Sequence, residues 1–245
     1  MKNGEGKKYV PFLKWAGGKR WLIEHHADIF PQFSGNYIEP FLGAGSVFFY
    51  LCPDRAYLSD SNSELIETYK AIRDNWRLVL KHLKRHKNNH SNSYYYDLRA
   101  SQPTTPATKA ARFIYLNRTC FNGIYRVNRK GRFNVPRGTR DTIILEADDF
   151  QALSEVLKNV ELKACDFEEP IARAGTDDLI FADPPYTVRH NNNAFIKYNE
   201  KLFSWDDQIR LANCLKEAAS RGVKIIATNA YHPCILELYQ GIFDL

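Results

Sequence analysis

The sequence lacks the features that would place it in several specialised protein classes. No apolar run approaches the ~20 residues of a membrane span, which excludes a transmembrane helix at the level of the sequence. The first ten residues are polar and basic and contain no apolar signal-peptide core, so we expect a cytoplasmic protein. Neither internal repeats nor a low-complexity tract are present, which excludes a repeat array.

Cysteine is scarce and widely spaced. The five cysteines are Cys52, Cys120, Cys165, Cys214 and Cys234, and no two of them form a Cys-x-x-Cys pair. Structural zinc sites and disulfide frameworks both depend on characteristic cysteine spacings. We therefore expect reduced, mostly buried thiols and no metal.

Acidic residues are almost missing from residues 71–140. This segment holds 16 Lys and Arg against two acids, whereas the rest of the chain holds 18 basic and 26 acidic residues. A strongly basic segment in an acidic host is typical of binding to a polyanion. A solvated basic face would carry the same charge. The interleaved side chains favour base edges and stacking instead; they are the aromatics Phe113, Tyr115, Phe121, Tyr125 and Phe133 and the amides Asn117, Asn122, Asn128 and Asn134.

The hydrophobic pattern predicts a mostly parallel, doubly wound α/β fold of the Rossmann-like type. At 245 residues the chain can bury a core as one large domain or as a domain with an insertion. Strands are predicted at 36–42, 55–60, 160–164, 179–182 and 223–228, and helices at 46–51, 63–81, 108–117, 150–158, 205–220 and 233–240. Residues 84–93 are predicted to form a loop, and 125–127 and 132–135 a hairpin. We expect a host domain of residues 1–70 and 141–245, interrupted by a mainly helical insertion at 71–140 that carries the hairpin.

The most informative motif is Asp183-Pro184-Pro185-Tyr186, which directly follows the apolar run 179–182. A strand that ends here presents a carboxylate, a fixed carbonyl and a flat ring at the edge of a sheet. The Asp183 side chain and the Pro184 carbonyl can accept the two hydrogens of an exocyclic amino group, which frees the nitrogen lone pair, while Tyr186 stacks on the base. Methyl transfer from a sulfonium donor then needs mainly positioning, with no covalent intermediate and no metal. In isolation, the motif would be explained by a Pro-Pro turn with a helix-capping Asp.

Two upstream segments suit a cofactor. Residues 39–45, Glu-Pro-Phe-Leu-Gly-Ala-Gly, form a glycine turn at the end of the first predicted strand. A dinucleotide would also fit such a turn, but the third glycine is missing and Glu39 would repel a pyrophosphate. Asp60 ends the next strand, where an acid can bind ribose hydroxyls, although a helix N-terminal acid explains it equally well. In residues 12–19 a residue such as Lys19 could reach the carboxylate of an amino-acid-bearing cofactor; a helix start with Trp15 in the core is the alternative.

Together these motifs resemble the DNA adenine methylase (Dam) family. The ordered set is Lys-Trp-Ala-Gly-Gly-Lys, Glu-Pro-Phe-x-Gly-x-Gly, Leu-Ser-Asp, Cys-Asp-Phe and Asp-Pro-Pro-Tyr, and it runs from about residue 10 to about residue 229. The resemblance implies an S-adenosylmethionine-dependent N6-adenine methyltransferase of the alpha order. In such enzymes the target-recognition domain is inserted before the Asp-Pro-Pro-Tyr motif.

The resemblance also implies which residues contact the cofactor. Asp60 would take the ribose hydroxyls, Asp166 would accept from the adenine amino group of the cofactor, and Phe167 would stack beside that ring. Asp183 would lie close to both the cofactor and the target base. The methionine end of the cofactor would contact Trp15, Lys19, Phe41, Gly43 and Gly45.

For the nucleic acid, the resemblance points to the stretch 118–140. Phe121 stands where the family places an aromatic wedge, often Tyr, and Asn122 and Arg126 would read base edges, with Arg126 on guanine. Further contacts are implied for Asn134 on the backbone, for Pro136 and Arg137 in shaping the surface, and for Lys14 on a base. The remaining Lys and Arg of this stretch are expected to bind phosphates. Because an amino group inside a duplex is inaccessible, the target adenine must rotate out of the stack.

The sequence therefore predicts a site-specific N6-adenine methyltransferase that acts on double-stranded DNA as a monomer, without a membrane, at a short GATC-like palindrome. An RNA or single-strand amino-methyltransferase, an inactive DNA-binding remnant and a nucleotide-dependent oxidoreductase stay open as alternatives. So does pairing with a restriction enzyme. Members of the family usually continue beyond the last predicted helix with further strands. We therefore expect a shortened variant or a truncated product, with the final hairpin of the sheet missing.

Overall fold

The structure is a computed structural model that describes residues 9–188, 203–241 and 243. It divides into two compact units. The first comprises residues 1–27, 43–52 and 62–162, and the second residues 28–42, 53–61 and 163–245. The predicted boundaries of an inserted domain at 71–140 stay a prediction.

A five-stranded parallel sheet forms the framework of the α/β fold and confirms the predicted fold class. Its strands are β1 (Tyr37–Glu39), β2 (Ala56–Asp60), β3 (Val160–Ala164), β4 (Leu179–Ala182) and β5 (Lys224–Ala227), in the order β3-β2-β1-β4-β5. β1 pairs in parallel with β2 and β4, and β4 pairs in parallel with β5. The strand order reverses between β1 and β4, and such a switch point opens a crevice at the carboxyl ends of the strands.

The second unit packs its helices around a continuous apolar core. β4 is buried along its whole length, as expected for a central strand of a parallel sheet that is covered on both faces. Ile180 of β4 shares this core with Ile171, Leu211 and Leu215. The helices of this unit are α7 (Glu168–Arg173), α8 (Trp205–Ser220) and α9 (Pro233–Tyr239), and α8 begins with a capping box between Ser204 and Asp207.

The first unit is mainly helical and rich in buried aromatic rings. Phe12 packs edge-on against Tyr69, with ring centroids 4.9 Å apart, and Tyr69 stacks on Phe49 at 6.3 Å. Its helices are α1 (Arg20–His25), α2 (Ser46–Leu51), α3 (Ser63–Asn88), α4 (Asn92–Ala100), α5 (Pro106–Thr119) and α6 (Phe150–Leu157).

The predicted loop at residues 84–93 is wrong over most of its length, because α3 continues to Asn88 and α4 begins at Asn92, which leaves only residues 89–91 as the connection. The buried face of this part of α3 consists of Val79, Leu83 and His86, which follow helical spacing. A histidine occupies the last of these positions, so the apolar pattern ends before the helix does, although α3 itself is kinked at Asn75. The Nδ1 of His86 is 2.7 Å from the hydroxyl of Tyr94, and burial lowers the pKa of His86 to about 4.

The predicted hairpin is present as a short antiparallel pairing. Val127 bridges to Phe133, the Asn128 N–H donates to the Arg132 carbonyl at 2.8 Å, and the Asn134 N–H donates to the Arg126 carbonyl at 3.1 Å. The pairing is a single bridge and not two extended strands.

One arginine of the stretch 118–140 is buried and therefore cannot bind phosphate as predicted. Arg118 is 1% exposed and forms a bidentate pair of hydrogen bonds with the Asp148 carboxylate, at 2.6 and 2.7 Å. Its other N–H groups donate to the carbonyls of Phe12 and Ile143. All five donors of the guanidinium are thus satisfied, which is what allows this charge to be buried.

We expect Arg118→Met to lower the free energy of unfolding by about 3–5 kcal/mol, because it leaves the Asp148 carboxylate buried without its partner. Urea unfolding followed by circular dichroism measures the change. Arg129→Met, at an exposed position of the hairpin turn, is the matched control and should change stability by no more than about 0.5 kcal/mol. Equal stability of the two variants would contradict a structural role for the buried pair.

Candidate functional site

The carboxylate of Asp183 lies at the carboxyl end of β4 and is held there by the neighbouring strand. Thr228 directly follows β5, and its N–H donates to the Ala182 carbonyl at 2.9 Å, continuing the ladder between β4 and β5. The Thr228 hydroxyl donates to Asp183 Oδ1 at 2.6 Å. This distance is typical of a hydrogen bond from a hydroxyl to an ionised carboxylate. The sequence motif predicted the position of Asp183 but not this partner.

The rest of the Asp-Pro-Pro-Tyr turn is also fixed by side chains. Gln208 of α8 is fully buried, and its Nε2 donates to the Pro185 carbonyl at 3.4 Å. Its Oε1 accepts from Asn229 Nδ2 at 3.0 Å. The Thr187 hydroxyl donates to the Phe203 carbonyl at 2.7 Å. Pro184 is buried and Tyr186 is half-buried, so the turn has a defined shape.

A second carboxylate, which the sequence reasoning used only to exclude a pyrophosphate, lies at the end of β1. Glu39 is 3% exposed and accepts a hydrogen bond from the hydroxyl of Tyr37 at 2.9 Å. Burial and the charges of Glu39 and Asp183 raise the pKa of Tyr37, so the phenol stays a neutral donor. The alternation of side chains along a strand, which places residues 37 and 39 on one face, was a signal for this pair.

Asp60 is the last residue of β2, and Asp166 lies two residues after the end of β3. Asp60 is half-buried, and its carbonyl accepts the N–H of Cys165 at 3.3 Å. The Asp166 carboxylate is engaged on both oxygens by Arg210 of α8, at 3.1 and 3.0 Å. Asp166 Oδ1 also accepts the N–H of Glu168 at 2.9 Å. The sequence reasoning missed Arg210, since nothing near the motif indicates an arginine 44 residues later.

Arg210 also covers the ring of Phe167. Its guanidinium carbon is 4.4 Å from the ring centroid, and the hydrogen bonds to Asp166 are the largest cause that raises the pKa of Arg210. Phe41 and Phe203 pack on the same ring, with centroids 5.5 and 5.6 Å away. Phe167 is only 5% exposed, so little of the ring is open to a ligand in this arrangement. The predicted stacking of a cofactor ring on Phe167 stays a prediction.

In the first unit, Trp15 belongs to an aromatic stack and closes over a glycine. Its ring stacks on Tyr125 and Phe113, with centroids 5.8 and 6.4 Å away. A Cβ added to Gly43 would lie 2.7 Å from Trp15 Cδ1, and Gly43 has φ of +47°. Only glycine fits this close approach without strain.

Two other predicted cofactor residues of this unit lie in the same chain segments. The Lys19 side chain is buried, and its Nζ donates to the Gly17 carbonyl at 2.6 Å. Gly45 immediately precedes α2 and has a left-handed backbone. The structure thus fixes the shape of both glycine segments, whereas the contacts predicted for a cofactor stay predictions.

The predicted wedge residue Phe121 projects from a pinned loop and is 52% exposed. Its N–H donates to the Pro136 carbonyl at 2.9 Å, and the Gly138 N–H donates to the Thr119 carbonyl at 2.8 Å. Asn122, the next residue, is exposed and adopts φ of +55°. An exposed apolar ring on a loop held by two backbone hydrogen bonds is suited to insertion between bases.

The structure brings Lys14 to this loop through an amide side chain. The Lys14 N–H donates to Asn117 Oδ1 at 2.9 Å, and Asn117 Nδ2 donates back to the Lys14 carbonyl at 2.7 Å. A Cβ on Gly123 would lie 3.2 Å from the Lys14 side chain. Burial, together with the charges of Arg140 and Arg118, lowers the pKa of Lys14.

Arg126, the predicted reader of guanine, is paired with Asn134, which was predicted to contact the DNA backbone. Arg126 is exposed, and its Nε donates to Asn134 Oδ1 at 2.9 Å, which orients the guanidinium. Arg137 is half-buried and donates to Asp141, and its Nη2 lies 3.4 Å from the Nε2 of His90. Hydrogen bonds from His90 and Arg137 lower the pKa of Asp141. Asp141 and His90 are contacts that the sequence reasoning missed.

Comparisons with known proteins match nearly the whole chain to DNA methyltransferases. A family model described as D12 class N6 adenine-specific DNA methyltransferase matches residues 15–245. The type II methyltransferase M1.LlaDCHI of Lactococcus lactis subsp. cremoris is 38% identical over 239 residues, covering 94% of this chain and 84% of the relative. The type II methyltransferase M.MjaIII of Methanocaldococcus jannaschii is 33% identical, covering 94% and 88%. A DNA adenine methylase of Vibrio cholerae is 33% identical, covering 96% and 86%.

We expect Gly43→Ala to lower the free energy of unfolding by about 2–3 kcal/mol, because the new methyl group meets Trp15 and the backbone is left-handed. Two glycines provide controls. Gly131 has φ of +70° but no atom within 4 Å of an added Cβ, so Gly131→Ala should cost only about 1 kcal/mol. Gly175 has neither feature and should be neutral. Urea unfolding compares the three variants. If Gly43→Ala lowers the free energy of unfolding no more than Gly131→Ala does, the Trp15 side chain moves away from the added methyl group without strain.

Proposed function

The chain belongs to the D12 class of N6 adenine-specific DNA methyltransferases, and from this premise we propose the role of each site residue. It is an enzyme that transfers a methyl group from S-adenosylmethionine to the N6 amino group of adenine in DNA. The residue roles and the target sequence that follow are proposals. The observation that carries them is the Asp183 carboxylate held by Thr228 at the end of β4.

The residues of the second unit fit the cofactor by their chemistry. S-adenosylmethionine carries positive charge on its sulfonium and amino groups and no phosphate. The buried carboxylate of Glu39 and the half-buried Asp183 lie at the ends of adjacent strands and suit such a ligand. When bound, the cofactor supplies an activated methyl group on sulfur.

We assign the target amino group to the Asp-Pro-Pro-Tyr turn. The Asp183 carboxylate and the Pro184 carbonyl accept its two hydrogens, and Tyr186 stacks on the base. These two hydrogen bonds would reduce the delocalisation of the N6 lone pair into the ring, so N6 could bond to the methyl group that the cofactor would supply as the bond from that methyl group to sulfur breaks. The N6 proton becomes acidic once the nitrogen is alkylated, and Asp183 lies where it can take that proton at an oxygen. Positioning in this pocket supplies most of the rate.

The remaining cofactor contacts are proposed as the motifs imply them. Asp60 binds the ribose hydroxyls, and Asp166 accepts from the adenine amino group while it remains paired with Arg210. A carboxylate has about four lone-pair positions. Arg210 and the Glu168 N–H use three of them, which leaves one on Oδ2 for the cofactor amino group. The ring of Phe167 borders the adenine. For the methionine end we propose Trp15, Lys19, Phe41, Gly43 and Gly45.

For DNA recognition we propose that residues 71–140 form the target-recognition domain and that the substrate is duplex DNA. The exposed Phe121 fills the space in the stack left by the flipped adenine. Arg126 reads guanine, Asn122 reads a neighbouring base edge, and Lys14 contacts a base. Pro136 and Arg137 shape the same surface, and Asn134 contacts the DNA backbone. A GATC-like palindrome suits this set, because an Arg fork pairs with the two acceptors of guanine.

We further propose a monomer that works in the cytoplasm. In the part of the chain that the structure describes, no helix is long and apolar enough to cross a membrane.

Methyl transfer to duplex and to single-stranded oligonucleotides of one sequence tests the proposal that the substrate is duplex DNA. Preferred transfer to single strands would reject it.

We expect Asp183→Ala to reduce the rate of methyl transfer about 1,000-fold or more while duplex binding stays within a few fold of wild type. Radiolabelled transfer and a binding titration measure the two quantities. Asp206→Ala, at an exposed position in the first turn of α8, is the control and should keep nearly full activity. Substantial turnover by Asp183→Ala would reject the role given to this carboxylate.

We expect Arg126→Ala to relax base preference at one position of the site, by about 5- to 150-fold, because a two-point contact to guanine is worth about 1–3 kcal/mol. Arg129→Ala should instead weaken binding to all sequences alike. It should also reduce the slope of log K against log salt concentration by about 1. Methylation of substrates with single base-pair changes, at two salt concentrations, separates these outcomes. Unchanged discrimination in Arg126→Ala would argue against base readout by this residue.

A further inference from the structure

Thr228 stands next to the proposed catalytic carboxylate without belonging to any of the motifs that identified the family. It is the first residue after β5, and the register Ala182↔Ala227 makes it the direct neighbour of Asp183 across the sheet. Its backbone and its side chain both form hydrogen bonds to this region. The Thr228 N–H donates to the Ala182 carbonyl, and the Thr228 hydroxyl donates to Asp183 Oδ1 at 2.6 Å. We propose that Thr228 is a positioning residue that orients the Asp183 carboxylate for methyl transfer.

The need for such a residue follows from the chemistry of the turn. The backbone of Asp183 is restricted because a proline follows it, but the last torsion angle of an Asp side chain is broad and weakly preferred. Two acceptors, the Asp183 carboxylate and the Pro184 carbonyl, must meet two hydrogens of a planar amino group. A rotated carboxylate would lose one of these hydrogen bonds. The Thr228 hydroxyl removes this rotation at the cost of one oxygen lone pair.

A second contact from the following residue supports the same role. Asn229 donates to Gln208 Oε1 at 3.0 Å, and Gln208 Nε2 donates to the Pro185 carbonyl at 3.4 Å. Consecutive residues after β5 thus hold the side chain at the start of the turn and the backbone in its middle. Gln208 is fully buried with both ends of its amide bonded, which leaves it a single orientation.

The test removes one hydroxyl and then restores it. Thr228→Val keeps the shape of the side chain, and we expect it to lower kcat about 10- to 100-fold, with KM for DNA and Kd for S-adenosylmethionine within about three-fold of wild type. Thr228→Ser keeps the donor and should retain at least about half of kcat. Thr176→Val is the control, since its hydroxyl bonds only a loop carbonyl, that of Arg221 at 3.0 Å, and it should leave kcat unchanged.

Several results would overturn the proposal. A Thr228→Val enzyme with kcat within two-fold of wild type would do so, as would a Ser variant as slow as the Val variant. A loss confined to cofactor or DNA affinity would mean a binding role instead. Should Thr228→Val fail to fold, Thr228→Ala compared with Thr228→Ser isolates the same oxygen.

The inference rests on the function proposed for Asp183, and the two can fail separately. If Asp183→Ala remains active, or if the wild-type enzyme modifies a group other than the adenine amino group, the assignment of the turn is wrong. If Asp183→Ala is inactive and Thr228→Val is fully active, the turn is correctly assigned and only the positioning role is rejected.

Discussion

The site depends on one constraint, the parallel pairing of β4 with β1 on one side and β5 on the other. The carboxyl ends of parallel strands lie at the same edge of a sheet, so residues at the ends of β1, β4 and β5 meet although they are far apart in sequence. Glu39, Asp183 and Thr228 are brought together in this way. β4 has no exposed face, and a shift of its register by one residue would turn Asp183 to the opposite side of the sheet. The pairing of β4 with both neighbouring strands therefore fixes the direction of this carboxylate.

The sequence alone predicted the framework well and the contacts poorly, for a physical reason. The strands at 160–164 and 179–182 were predicted with the bounds that the structure has. β4 is central and is a short apolar run, whereas β3 lies at the edge of the sheet and begins with alternating apolar and polar residues. The helix at 205–220 was predicted equally well, since Ser204 and Asp207 cap its start. The loop predicted at 84–93 failed because a polar ring, His86, fills a buried helix position. Thr228 and Arg210 were missed because their partners lie 45 and 44 residues away, and no local pattern encodes such pairs.

Charge composition carried part of the argument about nucleic acid, but it does not distinguish the arginines from one another. Arg118 has five satisfied donors and is enclosed, whereas Arg126 is exposed and oriented by Asn134. Both belong to the same basic stretch, and only the fold separates a structural ion pair from a surface residue. Aromatic residues divide in the same way, since Tyr125 packs on Trp15 while Phe121 projects outward. A basic, aromatic segment thus indicates a class of partner, and the exposure of each side chain is needed before a role can be proposed for it.

The two aspartates that the motifs emphasise are each oriented by a residue that the motifs omit. Asp166 is held on both oxygens by Arg210, and Asp183 is held by Thr228. Both partners come from the chain after residue 203, in α8 and directly after β5. A carboxylate that must meet a planar amino group gains from being fixed before the ligand arrives, because the ordering cost then falls on folding and not on binding. The motif residues supply the chemical groups, and residues of α8 and directly after β5 orient them. Mutations of these orienting residues should therefore lower the rate of transfer more than they lower the stability of the fold.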